Sequence, residues 1–229
     1  MKGTSSLSTL GILKLDTQFP RISGDIGHPD TFAYPVDIET VSGATPDKVV
    51  HQRAVGLIDR FCEAAQRLEA RGCRAIISSC GFLALHQQRL ANAVSIPLAS
   101  SSLLLVPFLP VVFGAGGKVG ILTASAASLS PDHLAAAGIA ADTAINGIPS
   151  DTEFARVIIG NVAQGNLTQI GEEVVEAACV LVARAPSIVA IVLECTNMGP
   201  YRIEITRRTG KPVFDLLDLA NLLMGSPAR

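Results

Sequence analysis

The sequence has no tryptophan and carries only 8 phenylalanines and 2 tyrosines in 229 residues. Aromatic platforms on which single-stranded bases would stack are therefore scarce. Net charge is equally thin. The 18 basic residues against 20 acidic ones leave −2, too little to drive non-specific attachment to a phosphate backbone. Nucleic acid is excluded as a partner on both counts. Long apolar runs are missing as well. The longest, Leu103 to Phe113, is interrupted by Pro107 and Pro110 and falls well short of the roughly 20 residues a membrane span needs, so no membrane partner is expected.

Metal-ligand patterns are absent. There is no CxxC and no HExxH, and the four histidines (His28, His51, His86, His133) are scattered, so neither a metal nor a cofactor is expected. The stretch from Gly114 to Gly120 holds a lysine without a following Ser or Thr and leads into an apolar run. It reads as a turn, not a phosphate loop. Cysteines number 5, an odd count, and the N-terminal stretch lacks the apolar core of an export signal. Reduced thiols and a cytoplasmic location are the expectation.

What is present is apolar material in alternation. Hydrophobic residues make up 48% and charged residues 17%, enough for a substantial core. Leu10 to Leu15 reads as a buried strand ending at Asp16. A polar, Gly/Pro-rich loop follows from Thr17 to about Ala44, long enough to be a candidate functional loop. Thr45-Pro46-Asp47 has the cap, proline and first-turn acid of a helix start, and apolar residues recur at helical spacing from Val50 to Leu68 before Gly72. Further strands are expected at 75–79, 97–99, 119–122, 189–193 and 212–214. Helices are expected after Cys80, near Pro131, and over 151–164 and 167–185. Strands alternating with helices indicate an α/β chain with parallel sheets.

The two halves match. Gly11-Ile12-Leu13 corresponds to Gly120-Ile121-Leu122, and Ile76-Ile77-x-x-Cys80 to Ile191-Val192-x-x-Cys195. Seventeen positions separate Cys80 from Pro97, and seventeen separate Cys195 from Pro212. The predicted architecture is two similar parallel-sheet α/β domains related by a pseudo-two-fold axis, with the active site in the cleft between them. Each cysteine falls at the carboxyl end of a strand just before a helix, where ligands bind in open parallel sheets. A thiol at a helix N-terminus is expected to have its pKa lowered. Two thiols facing one another across a cleft can remove a proton from one side of a carbon and return one to the other. Cys62, Cys73 and Cys179 read as filler.

At this point the chain resembles the aspartate/glutamate racemase superfamily, which includes hydantoin and glutamate racemases. The resemblance covers most of the chain and rests on Ser78-Ser79-Cys80-Gly81-Phe82 and on Glu194-Cys195-Thr196-Asn197-Met198. It implies that Cys80 and Cys195 are the paired acid/base thiols of a cofactor-independent racemase or epimerase. The substrate class it implies is an amino acid such as aspartate or glutamate, or a hydantoin. It implies a substrate-ammonium contact at Asp16, a carboxylate contact at Thr196, and further donors at Thr123, Ser125 and Asn197. Glutamate racemases have Asn-Thr after the first cysteine; here the backbone N–H groups of Gly81 and Phe82 would take that place. Arg21 in the long loop and Ser100 to Ser102 after a first-half strand are weaker candidates for the cleft.

The implied domains are 1–108 plus 208–229, the C-terminal segment returning to the first half, and 109–207. The expected partner is a small anionic substrate, and a homodimer is implied by the family. Two alternatives accompany the isomerase reading: a decarboxylase or cis–trans isomerase of a small dicarboxylate on the same fold, and a non-catalytic protein that binds a small acid.

Overall fold

The computed structural model describes residues 8–114 and 116–225. Its described residues form two parallel four-stranded sheets. The first contains β1 (Thr9–Leu15), β2 (Val36–Val41), β3 (Cys73–Ser78) and β4 (Leu98–Ala99), in the order β2-β1-β3-β4. The second contains β5 (Lys118–Thr123), β6 (Ala144–Gly147), β7 (Ile188–Leu193) and β8 (Val213–Phe214), in the order β6-β5-β7-β8. Strand for strand the two orders are the same, so the repeat legible in the sequence is a repeat of topology. The α/β class and the duplicated parallel sheets are as the sequence indicated. The inner strands read as nearly unbroken apolar runs because helices cover them: Leu10, Ile12, Ile76, Ile77, Ile121 and Ile191 have no exposed surface.

Several boundaries differ from expectation. The segment from Thr17 to Ala44 is not all loop, since β2 lies within it, paired in register with β1 from Leu10↔Val36 to Leu15↔Val41. Its acidic residues hide it: Asp37 and Glu39 break the apolar run and reach Arg71, the C-cap of the helix Ile58–Ala70, at 2.6 and 2.8 Å. The helix expected to run unbroken from Thr45 to Gly72 is split into Pro46–Val50 and Ile58–Ala70. Arg53 and Ala54 between them have φ of 56° and 55°, left-handed backbone that no helix can contain. The break carries His51 and Arg53 across to the second half. His51 Nδ1 lies 2.9 Å from Ser128 Oγ, and Arg53 pairs with Asp132 at 2.6 Å.

The C-terminal segment is shared between the halves. β8 pairs with β7 through Ile191↔Val213 and Val192↔Phe214, in the second sheet. The helix Leu216–Met224 then lies against β3 of the first. Asp215 marks the crossing and caps that helix, its Oδ1 accepting the Leu217 N–H at 2.8 Å. Residues 1–7 and 226–229, which the sequence reading placed with the first half, lie outside the described residues.

Candidate active site

Cys80 and Cys195 occupy equivalent positions, each two residues beyond the end of its strand, β3 and β7. Each is extended (φ −153° and −83°) and each opens a six-residue 3-10 helix, Gly81–His86 and Thr196–Tyr201. Backbone hydrogen bonds from neighbouring strands set both ends. Ser79 N–H donates to the Leu13 carbonyl at 2.9 Å, and Glu194 N–H to the Leu122 carbonyl at 2.8 Å. Ser78 Oγ donates to the Ser100 carbonyl at 2.6 Å and accepts the Cys80 N–H at 3.3 Å, which fixes the first cysteine's backbone.

The strand ends meet. Thr196 Oγ1 donates to the Ser79 carbonyl at 2.8 Å, and Ser102 Oγ to the Leu193 carbonyl at 2.6 Å. Gly81 is pressed against Glu194: a Cβ there would lie 2.1 Å from the Glu194 carbonyl oxygen and 2.4 Å from its Oε1. Only glycine permits that approach, so the residue after the first cysteine is dictated by contact with the residue before the second.

Glu194 is the group the sequence reading missed. It has no exposed surface. Its Oε2 accepts from Thr123 Oγ1 at 2.8 Å and from the Ala124 N–H at 3.4 Å, while Oε1 is buried with no hydrogen-bond partner. Burial pushes its carboxyl up to about 7, against the pull of those two donors. Its signal was present in the sequence: a lone acid ending an apolar strand beside a candidate cysteine.

The thiols are raised, not lowered as the helix-start argument had predicted. Burial first, and the Glu194 charge second, push Cys80 up to about 12 and Cys195 well above its ordinary value. Two turns of 3-10 helix supply too little dipole to offset removal from water. What favours each thiolate is local. The Phe82 N–H faces Cys80 sulfur and the Asn197 N–H faces Cys195 sulfur. The Phe82 N–H, expected to meet a substrate carboxylate, is thus directed at sulfur.

The other predicted residues divide. Thr123 and Thr196 are buried, holding Glu194 and the first strand end respectively. Asn197 touches Cys195, its Oδ1 3.5 Å from the sulfur. Phe82 is buried with its ring edge-on to His133, the centroids 5.5 Å apart. Ser125 Oγ donates to Ser128 Oγ at 2.9 Å and lines a cleft of about 610 Å³ between the halves, with Thr45, Asp47 and His51 on the facing side. Asp16 stands apart: it is exposed, and its Oδ2 accepts the Gly43 N–H at 2.9 Å. Of the serines at 100–102, Ser102 crosses to the second half. Arg21 folds over the Phe19 ring at 4.7 Å and pairs with buried Asp25 at 2.5 Å. Cys62, Cys73 and Cys179 lie elsewhere, and all five cysteines are free. Among the described residues no group of three or more His, Cys, Asp or Glu could hold a metal ion, and no helix is long and apolar enough to cross a membrane.

No family model matches the chain. A dimethylsulfoniopropionate lyase from Durusdinium sp. clade D is 32% identical over 225 residues, a match covering 95% of this chain and 74% of that protein. The chain belongs to the dimethylsulfoniopropionate lyase family. Dimethylsulfoniopropionate lyase 3 of Emiliania huxleyi is 30% identical over 242 residues; the match takes in 95% of this chain but 59% of that family member. Solved structures place this chain on the racemase fold. Allantoin racemase from Klebsiella pneumoniae superposes with a TM-score of 0.64 at 16% identity, covering 95% of this chain and 86% of that one. Aspartate racemase from Picrophilus torridus gives 0.58 at 16%, covering 95% and 93%. Unliganded arylmalonate decarboxylase gives 0.56 at 16%, covering 97% and 95%. The fold expected from the two cysteine motifs is therefore the fold observed, while the sequence relatives carry out a lyase reaction, not an isomerisation.

Proposed function

We propose that this chain is a lyase that uses its two thiols to eliminate a sulfide from a small carboxylate, with dimethylsulfoniopropionate as the substrate. That molecule bears a carboxylate and a dimethylsulfonium group on adjacent carbons. A thiolate from the Cys80/Cys195 pair takes a proton from the carbon beside the carboxylate. The electrons of that C–H bond form the new C=C bond, the C–S bond breaks, and its electron pair leaves with dimethyl sulfide. Acrylate remains, and the thiol returns its proton to solvent. Charge that gathers on the carboxylate as the proton departs is met by the remaining thiol.

The observation that supports this reading is the pairing of two features: buried thiols brought to one place by both sheets, and a lyase relative matched along nearly the whole chain. Racemisation and elimination share their first step, removal of a proton next to a carboxylate. They part at the second, where a racemase returns a proton and a lyase expels a leaving group. The cleft beside Ser125 carries the Asp47 carboxylate and several hydroxyls, groups that suit a zwitterion, although neither cysteine is among its lining residues. The symmetric placement of the two cysteines also supports a second reading, a racemase acting on a chiral carboxylate.

The test is incubation of the purified protein with dimethylsulfoniopropionate, with dimethyl sulfide followed by gas chromatography and acrylate by proton NMR. Equal amounts of both are expected. Cys80→Ser and Cys195→Ser should each lower the rate at least about 100-fold, since a hydroxyl is a far poorer base at the same position. A serine variant at either position that keeps the parent rate would refute the thiol mechanism.

A further inference from the structure

The loop after β1 reaches across the molecule to the second cysteine. Asp25 is 2% exposed, uncommon for a loop aspartate, and both its carboxylate oxygens are engaged. Oδ1 accepts from Arg21 Nη1 at 2.5 Å and from the Gly27 N–H at 2.6 Å. Oδ2 accepts from the Asn197 side-chain N–H₂. A carboxylate offers only acceptors, so it fixes which end of the Asn197 amide it faces. The carbonyl end is then turned to Cys195, whose S–H donates to Oδ1. The backbone is built for this contact. The Gly24 carbonyl oxygen would lie 2.4 Å from a Cβ at Gly199, and Gly24, at φ +100°, packs on Pro200. The loop is thus seated directly on the 3-10 helix that carries Cys195.

We infer that Asp25 is a positioning residue for Cys195: it locks the Asn197 amide so that an acceptor, not a donor, faces the sulfur, and so keeps Cys195 as an oriented thiol in the resting site. An acceptor at 3.5 Å stabilises S–H; the amide N–H₂ in the same place would stabilise the thiolate. Two thiols in one site become unlike each other by this means. Each sulfur has a backbone N–H neighbour, but Cys80 also feels the Arg21 charge, whereas Cys195 has the Asn197 side-chain acceptor. The acids facing Cys195 are Glu194, Cys80 and Asp25. Lys14, Arg21 and Tyr201 face Asp25 in turn. This inference rests on reading Cys195 as one of the reacting thiols, but its test needs no substrate.

Alkylation by iodoacetamide, resolved cysteine by cysteine with mass spectrometry from pH 6 to 11, reports each thiol separately. Asp25→Ala frees the amide to rotate and should bring the Cys195 midpoint down by about one pH unit or more, roughly tenfold more thiolate at a given pH. Cys80 should move less. Asp25→Asn removes the charge but keeps an acceptor for the Asn197 N–H₂, and should shift Cys195 by less than half as much. An equal shift in both variants would mean that Asp25 acts by charge alone, and no shift in Asp25→Ala would mean that it does not act on Cys195; either overturns the proposal. Should Asp25→Ala fail to fold, Asn197→Ala removes the acceptor directly. It should also lower the Cys195 midpoint, and an unchanged midpoint there would equally overturn it. Sulfide release from dimethylsulfoniopropionate, measured beside the titration, shows separately whether the lyase reading holds.

Discussion

Replacing Glu194 by glutamine probes the centre of the site through stability alone. Glu194 has no exposed surface, and burial holds its carboxyl near 7 in the folded chain, against about 4.3 in an unfolded one. Between those values the folded state binds the extra proton. The neutral acid is therefore favoured by folding, and the contribution to stability is fully present at low pH and fades as pH rises through about 7. The difference of roughly 2.5 units corresponds to about 3 kcal/mol lost between pH 4.5 and 8.5. Glutamine has the shape of the neutral acid and accepts the same Thr123 and Ala124 donors, but it cannot ionise. Urea unfolding of both proteins at half-unit steps over that range gives the difference directly. Relative to Glu194→Gln, the parent should lose about 3 kcal/mol across it. The parent curve alone would not reveal the effect, because His133 titrates in the opposite sense over an overlapping range. A parent-minus-variant difference that stays flat with pH would refute the claim that this carboxyl is buried and reluctant to ionise. The same substitution removes a negative charge that raises both Cys80 and Cys195, so their alkylation midpoints should both fall.

Two other substitutions test the packing around the site. His133 is buried and held down to about 4, by burial first and the Arg53 charge second. Its neutral form stabilises the fold above pH 6.5, and that contribution is lost as pH falls toward 4. His133→Gln should flatten the acid side of the stability curve in urea unfolding between pH 7 and 4.5; a curve as steep as the parent's would contradict this. Gly81→Ala would drive a methyl group into the Glu194 carbonyl. It should cost at least about 2 kcal/mol and depress activity by parting the strand ends, to be read by thermal unfolding together with turnover; an unchanged melting temperature would contradict the contact.

The fold was legible because its landmarks are local and repeated. Apolar strands, Gly11 and Gly120 at their openings, and two cysteines at equal spacing from a proline all belong to short stretches of chain. Of the edge strands, β4 and β8 were legible, but β2 and β6 were not. β2 alternates Val36 and Ile38 with Asp37 and Glu39, and its acids make sense only beside Arg67 and Arg71 of a helix 28 or more residues away. The break at Arg53 and Ala54 was hidden for a similar reason. The apolar spacing continues through it, and the partners that favour the turn, Ser128 and Asp132, lie in the other half.

At the site, the cysteines could be found from their motifs, but the state of their thiols could not. That depends on burial and on Glu194, whose neighbours come from β5 and from the turn after β3. Asp25 was the least visible. An aspartate in a Gly-rich loop looks like a turn residue until the loop is seen to rest on Thr196–Tyr201. The reaction itself was obscured by the equivalence of the two thiols, which suits a two-sided proton transfer as well as a one-sided elimination.

One experiment separates these most directly. The protein would be placed in D₂O with dimethylsulfoniopropionate, and in parallel with the separate enantiomers of aspartate, glutamate and a 5-substituted hydantoin, and followed by proton NMR. The account predicts vinyl signals of acrylate growing in step with dimethyl sulfide, with no loss of the α-proton signal from any chiral compound. Exchange of an α-proton in one of those compounds, with dimethylsulfoniopropionate left intact, would contradict it and assign the thiol pair to racemisation.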